Sequence, residues 1–178
     1  NYCVWGLDKD PFCGWELTGR RAYCHPSKFD PLSNALYHNN RDGTFTDVSA
    51  SSGVGGYLGK GMGVVFADYD DDGYLDVFVA NDKARNVLFH NDRNGTFSEK
   101  GLQAGVAYNA EGAALSFMGA DFRDIDNDGR PDLFVTALTN ETFSYFHNEG
   151  GGIFDDFTQS SALGRLSIYM SGWGNGIY

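Results

Sequence analysis

The stretch Asp68-Tyr-Asp-Asp-Asp-Gly-Tyr-Leu-Asp76 recurs later in the chain as Asp124-Ile-Asp-Asn-Asp-Gly-Arg-Pro-Asp132. In both copies, carboxylates at loop positions 1, 3 and 5 alternate with side chains that point away, so a tightly curled backbone brings three oxygens onto one point. A glycine at position 6 (Gly73, Gly129) suits a sharp bend, because that bend needs a positive φ and a residue without Cβ. Position 7 then offers a backbone carbonyl, and an aspartate at position 9 closes the shell.

This donor set predicts a calcium site in each loop, two in all. Only hard oxygen donors are present. These suit Ca²⁺, whereas softer metals prefer nitrogen or sulfur ligands, which the loops lack. The alternative is an acidic, solvated turn, but four uncompensated carboxylates converging on one turn would repel one another. The predicted ligands are Asp68, Asp70, Asp72, Tyr74 and Asp76 in the first loop, and Asp124, Asp126, Asp128, Arg130 and Asp132 in the second, with Tyr74 and Arg130 acting through their backbone carbonyls.

An EF-hand is the main rival interpretation, and two features argue against it. The EF-hand loop needs an acid at position 12 and a helix on each side, whereas position 12 is Val79 in one copy and Val135 in the other. The flanking segments 63–67 and 77–80 are short, β-branched and aromatic, which is typical of strands. We therefore expect each loop to join two strands.

A second repeat follows the loops. Residues 36–45, Leu-Tyr-His-Asn-Asn-Arg-Asp-Gly-Thr-Phe, return as residues 88–97, Leu-Phe-His-Asn-Asp-Arg-Asn-Gly-Thr-Phe, and more loosely as residues 145–154. Each copy has the pattern of a β-hairpin, with an Asp-Gly, Asn-Gly or Gly-Gly turn between two strands. Because a histidine followed by asparagine recurs in all three, at His38, His90 and His147, we expect these histidines to make a structural hydrogen bond to the turn.

The two repeats interleave into one larger unit. Strand, acidic loop and strand (61–81) precede a hairpin (87–100), and the same order recurs at 117–138 and 144–158. Four short strands per repeat of about 55 residues is the pattern of a β-propeller blade. The predicted fold is therefore all-β, with blades of four antiparallel strands. Two blades are complete, at about 61–100 and 117–158, and partial blades lie at both ends.

The two ends of the sequence match internal segments. Residues 171–178 resemble residues 60–67, which precede the first acidic loop, and Asn1-Tyr2 resembles the end of a strand such as 79–81. We therefore expect the chain to be a fragment of a larger propeller. Residues 1–35 have no clear periodicity and contain Pro11, Pro26 and Pro31. We therefore expect them to form an irregular, ordered excursion within the propeller.

Composition limits the function. The 178 residues carry a net charge of −11, and nine of the 24 acidic residues lie in the two loops, so the chain is a poor nucleic-acid binder by charge alone. No apolar run approaches the roughly 20 residues of a membrane-spanning helix. All three cysteines (Cys3, Cys13 and Cys24) fall in the excursion. An odd, clustered count suggests one disulfide and one thiol, or alternatively free buried thiols.

These residues together resemble a known family. The run from Phe66 to Ala80 and the His-Asn-x-x-x-Gly-Thr-Phe hairpins look like FG-GAP/VCBS repeats, the calcium-loop blades that also occur in integrin α propellers. The segments 10–14, 23–26 and 36–40 resemble more narrowly the UnbV/ASPIC-type, cartilage-acidic-protein-like branch. The resemblance implies an exported propeller, commonly of seven blades, with Ca²⁺ in the loops between the first two strands. It also implies a Cys13–Cys24 disulfide, whereas Cys3 departs from the pattern.

Three functions follow as hypotheses. The first is a calcium-stabilised extracytoplasmic scaffold, located outside the cell, at the cell surface or in the periplasm, that binds a protein or glycan through loops on one propeller face. Candidate contacts are Tyr57, Tyr108 and Glu111 in the loops 49–60 and 101–116. The second is an architectural subunit of a filament or larger assembly, in which open strand edges pair between copies. The third, a polysaccharide-acting enzyme, is disfavoured because the repeated histidines are not unique and His25 has no identifiable base or nucleophile beside it.

Overall fold

The computed structural model describes residues 2–177, and the expectations for Asn1 and Tyr178 lie outside this range. The excursion is built from short pieces, because its prolines and lack of periodicity prevent longer ones. It contains three 3-10 turns, at Leu7–Lys9, Glu16–Thr18 and Pro26–Lys28. Its strands are β1 (Gly14–Trp15), β2 (Arg20–Arg21) and β3 (Leu32–Ser33).

The next unit contains a hairpin and a connection to the first blade. The hairpin strands are β4 (Tyr37–Asn39) and β5 (Phe45–Asp47), which pair with each other in an antiparallel two-stranded sheet. A 3-10 turn at Val54–Gly56 and the short strand β6 (Leu58–Gly59) follow. Strand β6 pairs with β3, so the excursion returns to the sheet region just before the first blade begins.

Two four-stranded antiparallel sheets lie within residues 61–156. In each, the strands lie side by side in chain order, which is the arrangement of a propeller blade. Blade 1 consists of β7 (Gly61–Ala67), β8 (Asp76–Asn81), β9 (Val87–Asn91) and β10 (Phe97–Glu99). Blade 2 consists of β11 (Phe117–Arg123), β12 (Asp132–Ala137), β13 (Ser144–Gly150) and β14 (Ile153–Asp156).

Among residues 2–177, α-helix is limited to two short segments. Helix α1 (Gly101–Ala104) lies in the connection between the blades, and α2 (Leu163–Ser167) follows blade 2. Among the described residues, no helix is both long and apolar enough to span a membrane. The fold is therefore all-β, as the sequence predicts.

The main hydrophobic core lies between the two blades. Strand β8 alternates between its two faces, so Phe78 and Ala80 point towards blade 2 while Val77 and Val79 point the other way. Phe78 and Phe146 are fully buried, and burying a side chain of this size contributes about 1.5–3 kcal/mol. The interblade core consists of Tyr69, Phe78, Ala80, Leu88, Ala104, Val106, Phe117, Leu133, Val135, Ala137, Phe146 and Phe154.

A smaller cluster covers the other face of blade 1. Val54, Val77, Val79, Val87 and Phe89 are buried there. Tyr57 packs edge-on against Phe89 with the ring centroids 5.4 Å apart, which ties the 49–60 segment to this cluster. The neighbouring side chains of β7 stay open, and Met62, Val64 and Phe66 are 42%, 60% and 53% exposed. Blade 1 thus has one fully covered face and one that is partly uncovered.

The first strands of the two blades approach each other at glycines. A Cβ on Gly63 would lie 2.3 Å from the carbonyl oxygen of Met118 and 3.2 Å from the Cα of Gly119. A Cβ on Gly119 would in turn lie 2.8 Å from the Cα of Gly174. Residues 171–177 therefore lie beside β11 as β11 lies beside β7, although they form no strand.

The excursion is attached to blade 1 by a few polar contacts. The Lys60 ammonium donates to the carbonyl of Pro26 over 2.8 Å, and the Tyr2 hydroxyl donates to Asp82 over 2.5 Å. Within the excursion Cys13 and Cys24 form a disulfide, with Cα atoms 5.2 Å apart, and Cys3 is a free, half-buried thiol.

Candidate metal centre

Each acidic loop, 68–76 (the first loop) and 124–132 (the second loop), joins the first two strands of its blade. The chain curls because the position-1 carboxylate accepts backbone N–H groups from further along the loop. Asp68 accepts from Asp72 and Gly73 over 2.9 and 2.8 Å, and Asp124 accepts from Asp128 and Gly129 over 3.0 Å each. The bend itself has positive φ at position 6, with 87° at Gly73 and 92° at Gly129. The residues at position 4, Asp71 and Asn127, are exposed and also have positive φ.

The position-9 aspartates are buried where the loop meets the third strand. The Asp76 side chain is 1% exposed and accepts the backbone N–H groups of Tyr69 and Asn91. Asp132 is fully buried and accepts the N–H groups of Ile125 and Asn148 in the same way. The Tyr145 hydroxyl also donates to Asp132, over 3.2 Å. Position 9 is therefore the point at which the loop is fastened to the hairpin.

Burial in the first loop disfavours the ionised forms of Asp70 and Asp76. Burial, followed by the neighbouring charge of Asp72, raises the pKa of Asp70. Burial also raises the pKa of Asp76, to about 6, although backbone hydrogen bonds oppose the rise. The hydrogen bond from Arg93 lowers the pKa of Asp72. A cation bound among these groups would stabilise their ionised forms.

The position-5 carboxylates already have cationic partners. The guanidinium of Arg93 donates twice to Asp72 Oδ2, over 3.1 and 2.7 Å, from the hairpin of the same blade. In the second loop the equivalent Asp128 pairs with Arg130. The other carboxylate oxygen of each position-5 aspartate accepts a hydrogen bond from the backbone N–H of position 7. These pairings were not predicted, because neither arginine is a metal ligand through its side chain.

The repeated histidines contact the acidic loops, which corrects the expected hydrogen bond to the hairpin turn. His90 Nδ1 lies 3.3 Å from Asp70 Oδ2 and 3.4 Å from Asp76 Oδ1. His147 Nδ1 lies 3.1 Å from Asp132 Oδ1 and 3.6 Å from Asp126 Oδ2. The expectation was wrong because the third strand runs next to the second, which places its histidine over the loop. His38 lies in a two-stranded sheet and is exposed.

The hairpin turns instead are closed by asparagine and aspartate. Asn39 and Asn91 each accept the N–H of the arginine two residues on, and Asp42 and Asn94 accept the N–H of a threonine. Arg41 and Arg93 have positive φ, of 65° and 64°. These side-chain-to-backbone bonds are the usual means by which Asx residues stabilise tight turns.

The donor set of the first loop fits a divalent cation. Asp70 Oδ1 and His90 Nδ1 are buried and have no hydrogen-bond partner among the described residues. An orphaned buried polar atom costs about 1–3 kcal/mol, so an ion that satisfies it would stabilise the fold. One ligand atom from each of Asp68, Asp70 and Asp72 lies within 4.8 Å of the others, and so does the set Asp70, Asp76 and His90. The second loop has the set Asp126, Asp128 and His147.

The two loops differ in their surroundings. The first loop packs against blade 2, where Asn148 Nδ2 donates to the Tyr69 carbonyl over 2.8 Å and Gly152 lies against the Tyr69 ring. A cavity of about 690 Å³ separates the two loops and is lined by residues of both. In the second loop Asp126 and Asp128 are exposed. The first loop is thus held by both blades and the second by its own blade.

The expected partner contacts lie in different environments. Tyr57 belongs to the smaller hydrophobic cluster through its ring contact with Phe89. Tyr108 is half-buried and Glu111 is exposed, and both lie between α1 and β11. Of the three, Glu111 is the most accessible to a partner.

Comparison with known proteins identifies the repeats. A family model described as FG-GAP-like repeat matches residues 29–79 and 68–135. Cartilage acidic protein 1 of Homo sapiens is 46% identical over 112 residues, which is 62% of this chain and 16% of that protein. The Xenopus tropicalis protein of the same name is 31% identical over 106 residues, 59% of this chain and 16% of that protein. The chain thus spans about a sixth of the length of these relatives. Over half of its residues match the repeat model, and the chain belongs to the FG-GAP-like repeat family.

Proposed function

We propose that this chain is part of a calcium-stabilised, extracytoplasmic β-propeller scaffold that binds a protein or glycan partner. The observation that carries the calcium proposal is the repeated donor network. Positions 1, 3, 5 and 9 of both loops supply carboxylates around one turn, and in the first loop a buried carboxylate oxygen has no partner. Oxygen-rich sites of this kind suit Ca²⁺.

Calcium in these loops would be structural. The loop is fastened to the third strand through the position-9 aspartate, and the first loop is also hydrogen-bonded to blade 2. An ion that binds only the folded loop adds its binding free energy to folding, by about 2.7 kcal/mol when its concentration is a hundred times Kd. The ion would therefore hold together the two strands, the hairpin and the neighbouring blade.

Export is supported by the disulfide and by the relatives. The Cys13–Cys24 pair is stable in oxidising compartments, outside the cytoplasm. The relatives are named as cartilage proteins, which supports an extracellular place for this chain as well. A scaffold role without catalysis is supported by the histidines, since His90 and His147 both contact acidic loops and occupy equivalent positions.

One observation favours the second candidate, an architectural role. Met62, Val64 and Phe66 form an exposed apolar strip along β7. A strip of this kind is stabilised when another sheet covers it, either from the rest of the propeller or from a neighbouring copy. Size-exclusion chromatography at increasing concentration separates the two roles, since assembly between copies predicts concentration-dependent growth.

The calcium proposal is tested by thermal unfolding in millimolar Ca²⁺ and in EDTA. We expect the wild type to unfold roughly 5–10 °C higher for each occupied site at saturating calcium. Asp70→Asn and Asp126→Asn should each lose part of this rise, and the double variant most of it. The control is Asp71→Asn, which removes one charge from an exposed position of the same loop and should keep the full rise. A folded wild type without any calcium-dependent shift would refute the proposal.

Partner binding is tested separately on a glycan array and on immobilised extracellular-matrix proteins. The wild-type chain is applied in Ca²⁺ and again in EDTA, with the Asp70→Asn/Asp126→Asn double variant as control. Binding that requires both calcium and the intact loops supports the scaffold proposal. Absence of binding by a calcium-loaded, folded protein on both surfaces argues against it.

A further inference from the structure

The imidazoles of His90 and His147 occupy equivalent places in the two blades. In each case the same ring nitrogen, Nδ1, faces the carboxylates at loop positions 3 and 9. Each histidine lies on the third strand, next to the strand that begins with the position-9 aspartate. The pairing of these strands therefore generates the arrangement twice, from a loop and a hairpin that are separate in the sequence.

The distances match those between atoms that share a metal ion. Donor atoms held at about 2.1 Å from one ion lie roughly 3.0 Å apart in an octahedral shell and 3.4 Å apart in a tetrahedral one. His90 Nδ1 is 3.3 and 3.4 Å from its two carboxylate oxygens. His147 Nδ1 is hydrogen-bonded to Asp132 Oδ1 over 3.1 Å and lies 3.6 Å from Asp126 Oδ2. His90 Nδ1 is also a buried atom without a hydrogen-bond partner. An ion at this point would satisfy it together with the orphaned oxygen of Asp70.

The nitrogen decides which ion the arrangement favours. Calcium is bound by oxygen atoms, whereas zinc and related transition ions accept imidazole together with carboxylates. A metal-bound Nδ1 requires the proton on Nε2, and a carboxylate near Nε2 stabilises this tautomer. On the Nε2 side of each ring a carboxylate lies just beyond hydrogen-bond distance, with Asp72 Oδ2 4.0 Å from Nε2 of His90 and Glu149 Oε1 3.8 Å from Nε2 of His147.

We propose that each loop, together with the histidine of its hairpin, forms a second, mixed nitrogen and oxygen site that binds Zn²⁺ in competition with Ca²⁺. In blade 1 the protein ligands are Asp70, Asp76 and His90, and water completes the shell. In blade 2 they are Asp126, Asp128 and His147, whose ligand atoms lie within 4.8 Å of one another, as those of the blade 1 set do. The proposal rests on the loops being cation sites, as in the proposed function, but not on Ca²⁺ being the ion that occupies them.

The first measurement uses the wild-type protein after chelator treatment. We expect isothermal titration with Zn²⁺ to give two sites, and Co²⁺, used as a spectroscopic substitute, to give visible d–d absorption that Zn²⁺ abolishes. Long-range ¹H–¹⁵N spectra should show the Nδ1 resonances of His90 and His147 shifting on Zn²⁺ binding, while those of His25 and His38 stay in place. Zinc binding that leaves the His90 and His147 resonances unchanged would overturn the proposal, as would the absence of zinc binding.

The second measurement separates ligation from a structural role. We expect His90→Gln and His147→Gln each to weaken one Zn²⁺ site by at least tenfold, and the double variant to weaken both. His38→Gln is the matched control, since His38 has the same hairpin position but lies outside the two blades. All four variants should keep the calcium-dependent rise in Tm. If the double variant loses both Zn²⁺ affinity and the calcium response, the histidines only support the loops and the proposal fails.

The calcium arm also keeps the two proposals apart. A wild type that binds Zn²⁺ through the histidines but shows no calcium-dependent rise in Tm supports the zinc sites and contradicts the calcium scaffold. A wild type that shows a calcium-dependent rise in Tm but binds no Zn²⁺ supports the calcium scaffold and contradicts the zinc sites. The two proposals therefore fail on different results.

Discussion

At the scale of single residues, the position-9 aspartates differ from the other acids of the loops. Asp132 is fully buried and accepts hydrogen bonds from two backbone N–H groups and the Tyr145 hydroxyl. Asp126 is 44% exposed and accepts one backbone N–H, from Asp128. The same residue type therefore has two environments, since position 9 holds the loop to the hairpin through several hydrogen bonds and position 3 makes one.

This difference predicts contrasting results for two substitutions. Asp132→Ala should lower the free energy of unfolding by about 2 kcal/mol or more even in EDTA, because buried donors lose their acceptor. Asp126→Ala should have little effect in EDTA and should lower stability in Ca²⁺. Urea unfolding of both variants in the two buffers checks this. Equal losses in EDTA would contradict the division of roles.

Gly63 is a second position at which one atom matters. Its missing Cβ allows the backbone of β11 to approach, and the nearest atoms are the backbone atoms of Met118, Gly119 and Ala120. Backbone atoms in paired strands cannot move aside as the end of a flexible side chain does. The space is therefore filled by main chain from the neighbouring blade.

Gly63→Ala should lower the free energy of unfolding by roughly 1–3 kcal/mol, because overpacking forces the two inner strands apart. Gly174→Ala is the control, since a Cβ on Gly174 has no atom within 4 Å although the residue lies along the same series of contacts. Its effect should stay within about 0.5 kcal/mol. Urea unfolding measures both, and similar losses in the two variants would contradict the steric argument.

Some of these residue-level features were predictable and others were not. The positive φ of Gly73 and Gly129 follows from the loop spacing, because no residue with a Cβ suits that bend equally well. The contact between His90 and the first loop could not be derived, since it depends on how the third strand aligns with the second. A histidine at the same place in each hairpin was the available signal, but it does not say which neighbour the imidazole meets.

At the scale of elements, Asn148 connects three parts of the structure. It is fully buried, and its Nδ2 donates to the carbonyls of Tyr69 in blade 1 and Pro131 in the second loop. Its counterpart Asn91 donates to the carbonyl of Leu75, which is equivalent to Pro131. Asn148 therefore makes one additional bond, which crosses between the blades.

This pair provides a matched comparison. Asn148→Ala should lower the free energy of unfolding by about 1–3 kcal/mol, because it leaves a buried carbonyl without its donor, whereas Asn91→Ala should cost about 1 kcal/mol or less. Both variants remove the same side chain from equivalent hairpins. Thermal or urea unfolding measures the difference, and an equal or larger loss for Asn91→Ala would show that the bond to Tyr69 does not stabilise the pair of blades.

The elements were the most predictable part of the fold. Alternating apolar residues, such as Val77 and Val79 on one face and Phe78 on the other, indicate strands, and the acidic loops and Asn-Gly turn show how successive strands connect. The pairing of β3 with β6 was not foreseen, because it joins two-residue strands that have no pattern of their own. Short strands of this kind form where neighbouring elements bring their backbones together.

At the scale of the whole molecule, the two blades are joined at both ends as well as through the core. At the end that carries the acidic loops, Asn148 meets the carbonyl of Tyr69. At the opposite end, Glu141 of blade 2 pairs with Lys83 of blade 1 and accepts the N–H of Ser116. The excursion has fewer such attachments and most of its side chains are exposed. We therefore expect the blades to unfold together and the excursion to open separately.

Reduction of the disulfide tests this expectation. Cys13 and Cys24 are 11 residues apart, and closing a loop of that size stabilises by about 3 kcal/mol in the chain-entropy description. Cys13→Ser/Cys24→Ser should therefore lose hydrogen-exchange protection within residues 4–31 and keep it in β8 and β12. The wild type with and without reductant is the control. Loss of protection in the blade strands would mean that the excursion and blades form one cooperative unit.

The glycine contacts between the inner strands also bear on how such chains lengthen over evolution. Gly63 meets Met118 and Gly119, and Gly119 meets Trp173 and Gly174, largely through main-chain atoms. A contact made by main chain does not require matching side chains on its two sides. A repeat copied by unequal recombination therefore keeps this inner contact from the start, and only the side chains of the interblade core have to adapt to the new neighbour.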